Sequence, residues 1–179
     1  MTSYIFFIEF DRFINVLLIT SLLIVIQGIW DDYTNLRASS KIAFQSLVII
    51  IIIWTTNLKL NSFGDVFGFS YPVELGILAI PITIISVIGL TNAFNMIDGL
   101  DGFAINFVLI ALLGLIGLNL NLEVTSFNKL LLVIFSASLI FMLFNISSNL
   151  KVKIFLGDGG SLFLGFIISW ALIYSVESK

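Results

Sequence analysis

Four polar side chains follow one another at helical spacing in the segment NAFNMIDGLDG, which lies between two strongly apolar stretches. They are Asn92, Asn95, Asp98 and Asp101. Residues three or four apart are neighbours on a helix surface, so the spacing predicts a polar stripe where a helix leaves the membrane. Ionisable groups near hydrocarbon are costly and usually functional, which makes the stripe a candidate site. The alternative is a polar cap at the headgroups, although such anchors are usually Trp, Tyr, Lys or Arg.

A second acidic motif, WDDYTNLRASSK, begins with the adjacent carboxylates Asp31 and Asp32. The pair could coordinate Mg²⁺, or the two charges could repel each other so that one group becomes a base. Arg37 and Lys41, later in the same motif, could receive phosphate groups. The alternative is a solvated loop whose aspartates end one helix and whose serines cap the next.

The third motif, FLGDGGS, is a glycine-rich turn that opens a helix. Its backbone N–H groups could bind an anion, Asp158 could bind a metal ion, and Phe155 could stack on a ring. Taken alone, this motif is better explained as an ordinary tight turn.

Composition places all three motifs in an integral membrane protein. Of the 179 residues, 59% are hydrophobic and 11% charged, whereas soluble domains carry about 25% charged residues. A net charge of −3 without any run of Lys or Arg does not suggest a nucleic-acid partner. Cysteine and histidine are both absent, so the chain offers no thiolate or imidazole, and any metal ion must be held by oxygen atoms.

Six apolar stretches are long enough to cross a bilayer, which takes about 20 residues. They lie at 13–30, 42–56, 75–93, 103–120, 129–146 and 160–176. The sequence therefore predicts one domain over residues 1–179, an all-α polytopic membrane bundle of about six transmembrane helices. Because successive connections alternate between sides, the first, third and fifth share one face, and the aspartates of all three motifs converge there. The distribution of basic residues between the two faces is too even to decide the orientation by the positive-inside rule, and the cytoplasm is only weakly favoured for that face.

Together, the motifs suit a diphosphate bridged by Mg²⁺. This ion usually binds through one or two carboxylates plus substrate phosphates, so some of the five aspartates remain for proton transfer or nucleotide recognition. A membrane transporter is the non-enzyme alternative. Transporters place ionisable groups near the bilayer midplane, whereas every carboxylate here lies at the end of a span.

In order and spacing, DDYTNLRASSK, NAFNMIDGLDG and KIFLGDGGSLFLGF resemble the successive motifs of the polyprenyl-phosphate N-acetylhexosamine-1-phosphate transferases. The form of the middle motif resembles the acetylglucosamine branch more than the muramoyl-pentapeptide branch. This resemblance implies transfer of a sugar-1-phosphate from a UDP-sugar to a polyprenyl phosphate such as undecaprenyl phosphate, with release of UMP. It also implies Mg²⁺, or Mn²⁺ in its place, an active site on the cytoplasmic face of the bacterial inner membrane, and it allows a homodimer.

The same resemblance implies roles for individual residues. Asp158 matches the metal-binding aspartate, and Asp31 and Asp32 match the pair that activates the lipid phosphate or assists the metal. The nucleotide-side and catalytic motif is matched by Asn92, Asn95, Asp98 and Asp101. Lys41 matches a lysine near the phosphates, and Phe155 an aromatic side chain near the uracil.

Two departures from the family pattern suggest a fragment. Family members have further spans before the DD motif and a histidine-containing loop toward the C-terminal end, and this chain has no histidine. A non-catalytic remnant of such a transferase is therefore an alternative.

A CDP-alcohol phosphotransferase is the rival enzyme, because DGLDG resembles its signature, but the Ala-Arg pair and the later aspartates of that signature are missing.

Overall fold

The computed structural model describes residues 11–65, 68, 72–99, 102–119, 125–146 and 154–177. Within them the chain forms a single-turn 3-10 helix, Gly76–Leu78, and six α-helices: α1 (Arg12–Thr34), α2 (Ala38–Thr56), α3 (Ala79–Ile97), α4 (Phe103–Asn119), α5 (Ser126–Ile146) and α6 (Gly157–Glu177). The only β pairing in these residues is one antiparallel bridge between Ser62 and Glu74. The predicted all-α class is confirmed.

Five of the six helices are long and apolar enough to cross a membrane, and α4 is a shorter apolar helix of 17 residues. Backbone N–H and C=O groups find no water in hydrocarbon, so a spanning segment must satisfy them internally. That requirement explains why each predicted apolar stretch folds as a helix. The predicted number of helices is confirmed, with α4 shorter than the other five.

Most helices extend beyond the apolar stretch that predicted them. α1 continues through Asp31 and Asp32 to Thr34, α2 already includes Lys41, and α3 runs past Asn95. Hydropathy falls where the hydrocarbon ends, but the helical hydrogen-bond ladder continues when polar side chains there find partners. The DD pair therefore lies in the last turn of α1, so these aspartates do end a helix, but Arg37 rather than a serine is the N-cap of α2.

α6 is the central helix of the bundle. It packs against α1, α3 and α4, while α2 packs against α1 and α3, and α5 packs against α4. Leu162, Phe166 and Trp170 of α6 are almost completely buried, whereas Trp54 of α2 and Leu143 of α5 are exposed on the outer surface. An exposed apolar surface is the expected arrangement for helices that face lipid.

The helices alternate in direction, so three helix ends and three helix starts lie together. Asn145, near the end of α5, accepts a hydrogen bond from the backbone N–H of Gly102, just before α4, at 2.8 Å. Its amide nitrogen donates to the carbonyl of Ile154, just before α6, at 2.8 Å. These contacts bring the third and fifth connections to one end of the bundle.

Candidate functional site

Four carboxyl groups meet at the start of α6. The backbone N–H of Asp158 donates to Oδ1 of Asp32 at 3.3 Å, and the N–H of Gly157 donates to the Asp98 carboxyl. The Asp31 carboxyl lies within hydrogen-bonding reach of Asp158. The structure thus brings together one or two acidic residues from each of the three sequence motifs.

Two of the N–H groups at the start of α6 are occupied by carboxylates of the chain itself. The sequence suggests that the N–H groups of the FLGDGGS turn could bind an anion, with an ordinary turn as the alternative. Instead, Asp32 and Asp98 accept from the first two residues of the helix. Carboxylates are stabilised at a helix N-terminus because its unpaired N–H groups and the helix dipole favour negative charge. The dipole therefore holds these two side chains against Asp158.

Asp31 ties the end of α1 to the start of α2. Its side chain is only 3% exposed, it forms an ion pair with Lys41, and its Oδ1 accepts from the N–H of Leu36 at 2.8 Å. Its carbonyl accepts from the N–H of Asn35, which adopts the left-handed conformation with φ 48°. Because the Lys41 side chain remains 27% exposed, its ammonium can still donate to an incoming phosphate.

Asn95 fixes the orientation of Asp158. Its amide nitrogen donates to Oδ1 of Asp158 at 2.8 Å and to the hydroxyl of Ser161 at 2.9 Å. The Ser161 hydroxyl in turn donates to the carbonyl of Gly157 at 2.8 Å. The carboxylate that the resemblance predicts to bind a metal ion is thus held by a neutral donor from another helix.

Asn92 faces a different neighbour. Its amide nitrogen donates to Oε1 of Gln45 on α2 at 2.8 Å and to the carbonyl of Ile88 at 2.8 Å. The predicted single stripe is therefore divided, because Asn95 and Asp98 turn toward α6 while Asn92 turns toward α2. The separation follows from the drift of a three-residue spacing around a helix with 3.6 residues per turn.

Side-chain contacts join four helices in a closed ring. In order around the ring, the pairs are Asp31 with Lys41, Gln45 with Asn92, Asn95 with Asp158, and Asp158 with Asp31. The first pair joins α1 to α2, the second α2 to α3, the third α3 to α6, and the last closes the ring between α6 and α1. Polar side chains thus define the end of the bundle where a charged substrate could bind.

Among the described groups outside the helical spans, Asp98 is the one whose pKa is clearly shifted. It follows the last residue of α3 and is partly buried. Loss of hydration and then repulsion by Asp158 raise the pKa of Asp98 to about 6, against the lowering effect of the hydrogen bond from Gly157. Near neutral pH the group is therefore a carboxylate that a nearby cation would stabilise.

The oxygen donors at this site fit Mg²⁺ when a phosphate completes its shell. In the described part of the chain, no three acidic side chains are placed to hold a metal ion by themselves. Mg²⁺ commonly binds through one or two carboxylates and takes its other ligands from water and substrate phosphates. Asp158, with Asp32 beside it, supplies that smaller set.

The remaining predicted site residues are Phe155 and Asp101. Phe155 is 60% exposed just before α6, so its ring is accessible for stacking. Asp101 lies outside the described residues, as do the basic residues Lys151 and Lys153. The roles assigned to the site residues from the sequence stay predictions.

Sequence analysis missed two buried amides next to the site. Gln45 is 1% exposed and holds Asn92, and Gln27 donates to the carbonyl of Lys41 at 3.0 Å. Gln45 Nε2 and Gln27 Oε1 have no hydrogen-bond partner among the described residues. Each lies within an otherwise apolar stretch, and a lone amide in a membrane helix is a signal that could have identified both.

Comparison with known proteins shows that this chain is similar to a family of glycosyl transferases and to individual transferases within it. The family described as "Glycosyl transferase family 4" matches residues 14–176. The Bacillus subtilis (strain 168) protein described as "Probable undecaprenyl-phosphate N-acetylglucosaminyl 1-phosphate transferase" is 39% identical over 147 residues, which are 82% of this chain and 40% of that protein. The Escherichia coli (strain K12) undecaprenyl-phosphate alpha-N-acetylglucosaminyl 1-phosphate transferase is 28% identical over 162 residues, 87% of this chain and 42% of that protein.

A relative from the other branch also matches. The phospho-N-acetylmuramoyl-pentapeptide-transferase of Clostridium beijerinckii is 33% identical over 159 residues, which are 86% of this chain and 47% of that protein. In each case the chain spans less than half the length of the relative. The matched region includes all three acidic motifs and the described helices from α1 to α6, except for the first two residues of α1 and the last residue of α6.

Proposed function

Because this chain belongs to glycosyl transferase family 4, we propose that it carries part of the active site of a membrane transferase. The proposed reaction moves N-acetylglucosamine 1-phosphate from a UDP-sugar to undecaprenyl phosphate and releases UMP. The relatives named for N-acetylglucosamine and the NAFNMIDGLDG form of the middle motif support this sugar. The names of the same relatives support the acceptor lipid.

In this reaction, a phosphate oxygen of the lipid forms a bond to the phosphorus that carries the sugar. The bond from that phosphorus to the bridging oxygen breaks, and the bridging oxygen leaves with UMP. The lipid phosphate is already ionised near neutral pH, so a strong base is not required. The main tasks are to hold two anions together and to neutralise charge on the transferring group.

The ring of polar side chains is suited to those tasks. Lys41, held by Asp31, and Arg37 at the start of α2 bind phosphate oxygens. Asp158, with Asp32 beside it, would hold Mg²⁺ or Mn²⁺, which supplies positive charge to the transferring phosphoryl group.

The nucleotide side of the site is formed by the end of α3 and the segment before α6. Asn92, Asn95 and Asp98 bind or orient the UDP-sugar, as would Asp101 in the same motif. The exposed ring of Phe155 offers a stacking surface for the uracil. A planar base gains about 1–3 kcal/mol from stacking on an aromatic side chain, by analogy with nucleic-acid binding.

The observation that carries this proposal is the pairing of motifs from distant parts of the chain. Asn95 donates to Asp158 at 2.8 Å across 63 positions, and the N–H of Asp158 donates to Asp32 at 3.3 Å across 126 positions. These contacts place groups from all three motifs at one end of the bundle, where two phosphate-bearing substrates and a metal ion could meet.

Transfer can be tested with labelled substrate. Membranes containing the protein that carries this segment are incubated with radiolabelled UDP-N-acetylglucosamine and undecaprenyl phosphate, and label in the lipid extract is counted together with released UMP. We expect Mg²⁺-dependent label in lipid and an equal amount of UMP. Incorporation only from the UDP-muramoyl-pentapeptide would assign the other branch. No incorporation from either sugar would favour the non-catalytic remnant.

We also propose that the polar ring faces the cytoplasm. The chain lacks cysteine, so single cysteines can be introduced at exposed positions of the two ends, Ser39→Cys near the ring and Thr125→Cys at the other end. In intact cells, a membrane-impermeant thiol reagent should label only the Thr125→Cys variant. Labelling of only the Ser39→Cys variant would reverse the proposed orientation.

A further inference from the structure

The backbones of α1 and α6 touch at one point, between Gly28 and Gly159. A Cβ atom added to Gly28 would lie 2.5 Å from the Cα of Gly159, 2.6 Å from its nitrogen and 2.7 Å from the carbonyl carbon of Asp158. All three obstructing atoms belong to the backbone, so no side-chain rotation could relieve the overlap. Position 28 therefore accepts no side chain unless the two helices move apart.

This contact lies next to the site carboxylates. Gly28 precedes Asp31 and Asp32 by about one helical turn, and Gly159 directly follows Asp158. We infer that Gly28 is a positioning residue: its missing side chain sets the distance between the α1 carboxylates and Asp158. The consequence for Mg²⁺ rests on the proposed function, whereas the consequence for the distance between the helices does not.

The displacement expected from one methyl group is large on the scale of the site. Ordinary contacts of a Cβ atom begin at 3.4 Å. Lengthening the 2.5 Å distance between the added Cβ and the Cα of Gly159 to that value requires a movement of about 0.9 Å. The hydrogen bond from the Asp158 N–H to Asp32 is already 3.3 Å long, and that movement would break it. Mg²⁺ tolerates little distortion of its octahedral shell, and a misplacement of about 1 Å can reduce activity about 100-fold.

Glycines elsewhere in the helices supply matched controls, because Gly→Ala adds the same single methyl group at each. Gly165 of α6 is also crowded, since an added Cβ would lie 2.9 Å from the Cα of Thr91 and 3.0 Å from the Cβ of Phe94. It packs α6 against α3, about 9 Å along the helix from Gly159. Gly114 of α4 has nothing within 4 Å. Gly165→Ala should therefore disturb packing away from the α1 contact, and Gly114→Ala should disturb very little.

A milder change at the same contact is also available. A Cβ on Gly159 would lie 3.2 Å from Cγ1 of Ile29, a side-chain atom that can move, and 3.5 Å from the carbonyl oxygen of Val25. Gly159→Ala should therefore have a smaller effect than Gly28→Ala in the same direction. This variant tests the inference if Gly28→Ala does not insert or fold.

The distance can be measured without a metal ion by disulfide formation. A Cβ on Gly157 would lie 3.3 Å from Oδ2 of Asp32, so a cysteine pair from Asp32→Cys and Gly157→Cys is within crosslinking reach in this cysteine-free chain. The positive φ of Gly157, 63°, strains any side chain there, so each rate is compared with that of the cysteine pair alone, in which the same strain is present. We expect Gly28→Ala to slow crosslinking about tenfold, Gly159→Ala to slow it less, and Gly165→Ala and Gly114→Ala to leave it unchanged. An unchanged crosslinking rate in both Gly28→Ala and Gly159→Ala would overturn the inference.

The consequence for the metal is measured by ligand-induced stabilisation in detergent. Thermal unfolding is followed at increasing Mg²⁺, with UMP present to supply a phosphate, in the chain with its native aspartates. Gly28→Ala should raise the Mg²⁺ concentration that gives half-maximal stabilisation about tenfold, and Gly165→Ala should lower the unfolding temperature without shifting that concentration. Equal shifts in both variants would overturn the positioning role in metal binding. If the unsubstituted chain itself gained no stability from Mg²⁺, the proposed function would fail, and crosslinking would still decide the positioning inference.

Discussion

The two ends of the bundle carry carboxyl groups in very different surroundings. At the end opposite the ring, Asp11 accepts from the N–H of Arg12 at 2.6 Å and caps α1, and Glu177 accepts from the backbone and side chain of the exposed Asn61. At the ring, Asp31 is almost completely buried, and Asp98 and Asp158 lie close enough to repel each other. The first group makes contacts at the exposed surface, whereas the second is gathered from three helices.

This difference distinguishes the end that we propose to be functional from an ordinary membrane boundary. A cap or an exposed hydrogen bond stabilises a helix end by about 1 kcal/mol and needs no further partner. Carboxylates that are gathered and partly buried repel each other and lose hydration, so they are unfavourable unless a cation joins them. The acidic residues alone do not identify the site, because both ends have them. Their burial and mutual contacts do.

The largest effect is expected at Asp158. In a transfer-competent protein that carries this segment, Asp158→Asn should reduce transfer more than about 100-fold, because the amide keeps the shape but removes a negative charge from the metal site. Residual activity should require more Mg²⁺. The matched change at the other end, Glu177→Gln, should leave transfer within about twofold. Unaltered Mg²⁺ dependence in Asp158→Asn would show that Asp158 is not a metal ligand.

Loss of Lys41 should have the next largest effect, on stability as well as on transfer. Lys41→Met retains the aliphatic stem but leaves the buried Asp31 without its ion-pair partner. Breaking a buried pair by removing one member typically lowers the free energy of unfolding by about 3 kcal/mol. Lys59→Met, at the opposite end, should change it by less than about 0.5 kcal/mol. Denaturant titration in detergent measures both values, and equal losses would remove the contrast between the two ends.

The sequence predicts the fold well because one physical constraint dominates it. A long apolar stretch in a membrane must be helical, so the stretches at 42–56 and 129–146 give α2 and α5 with nearly the right bounds. The alternation of spans also predicts which connections meet. Helix ends are less predictable, since α1 continues past Trp30 only because Asp31 finds Leu36 and Lys41 as partners.

The individual contacts of the site depend on how helices rotate against each other, which spacing does not determine. The partners of Asn92 and Asn95 are one example, because the spacing turns the two amides apart but only packing decides that the first faces Gln45 and the second Asp158. The approach of Gly28 to Gly159 is another. Nothing in the sequence indicates that two glycines so far apart are in contact. The amide of Gln45, in contrast, could have been identified from the sequence, because it is a lone amide in an apolar stretch.

A smaller effect, with a defined pH dependence, is expected for Asp98→Asn. The pKa of Asp98 is raised to about 6 in the folded chain from the ordinary 3.8, so the folded state binds the proton more tightly than the unfolded state. Stability therefore falls as pH rises from about 4 to about 6, and the full penalty is present above that window. Asp98→Asn should raise the unfolding temperature of the metal-free chain at pH 7.5, and the gain should vanish near pH 4.

The control for that measurement lies at the other end of the bundle. Asp11→Asn keeps a side-chain oxygen that can cap α1, and its effect on the unfolding temperature should be small at pH 7.5. Scans in EDTA between pH 4 and pH 8 would compare both variants with the unsubstituted chain. A gain for Asp98→Asn that is the same at pH 4 and pH 7.5 would show that Asp98 carries no unfavourable charge.

The smallest effect is expected where Glu177 meets Asn61. Asn61 donates from both its backbone and its side chain to the Glu177 carboxylate, which ties the segment after α2 to the end of α6. Both residues are exposed or at the surface, so water replaces a lost partner, and the coupling between them should be no more than about 1 kcal/mol. A double-mutant cycle of Glu177→Ala and Asn61→Ala in denaturant titrations measures this coupling directly.

Neither variant should alter transfer or its Mg²⁺ dependence, because the pair touches none of the ring residues. A coupling near 3 kcal/mol, or a loss of transfer comparable to that of Lys41→Met, would mean that the opposite end also supports the site, and the distinction between the two ends would not hold.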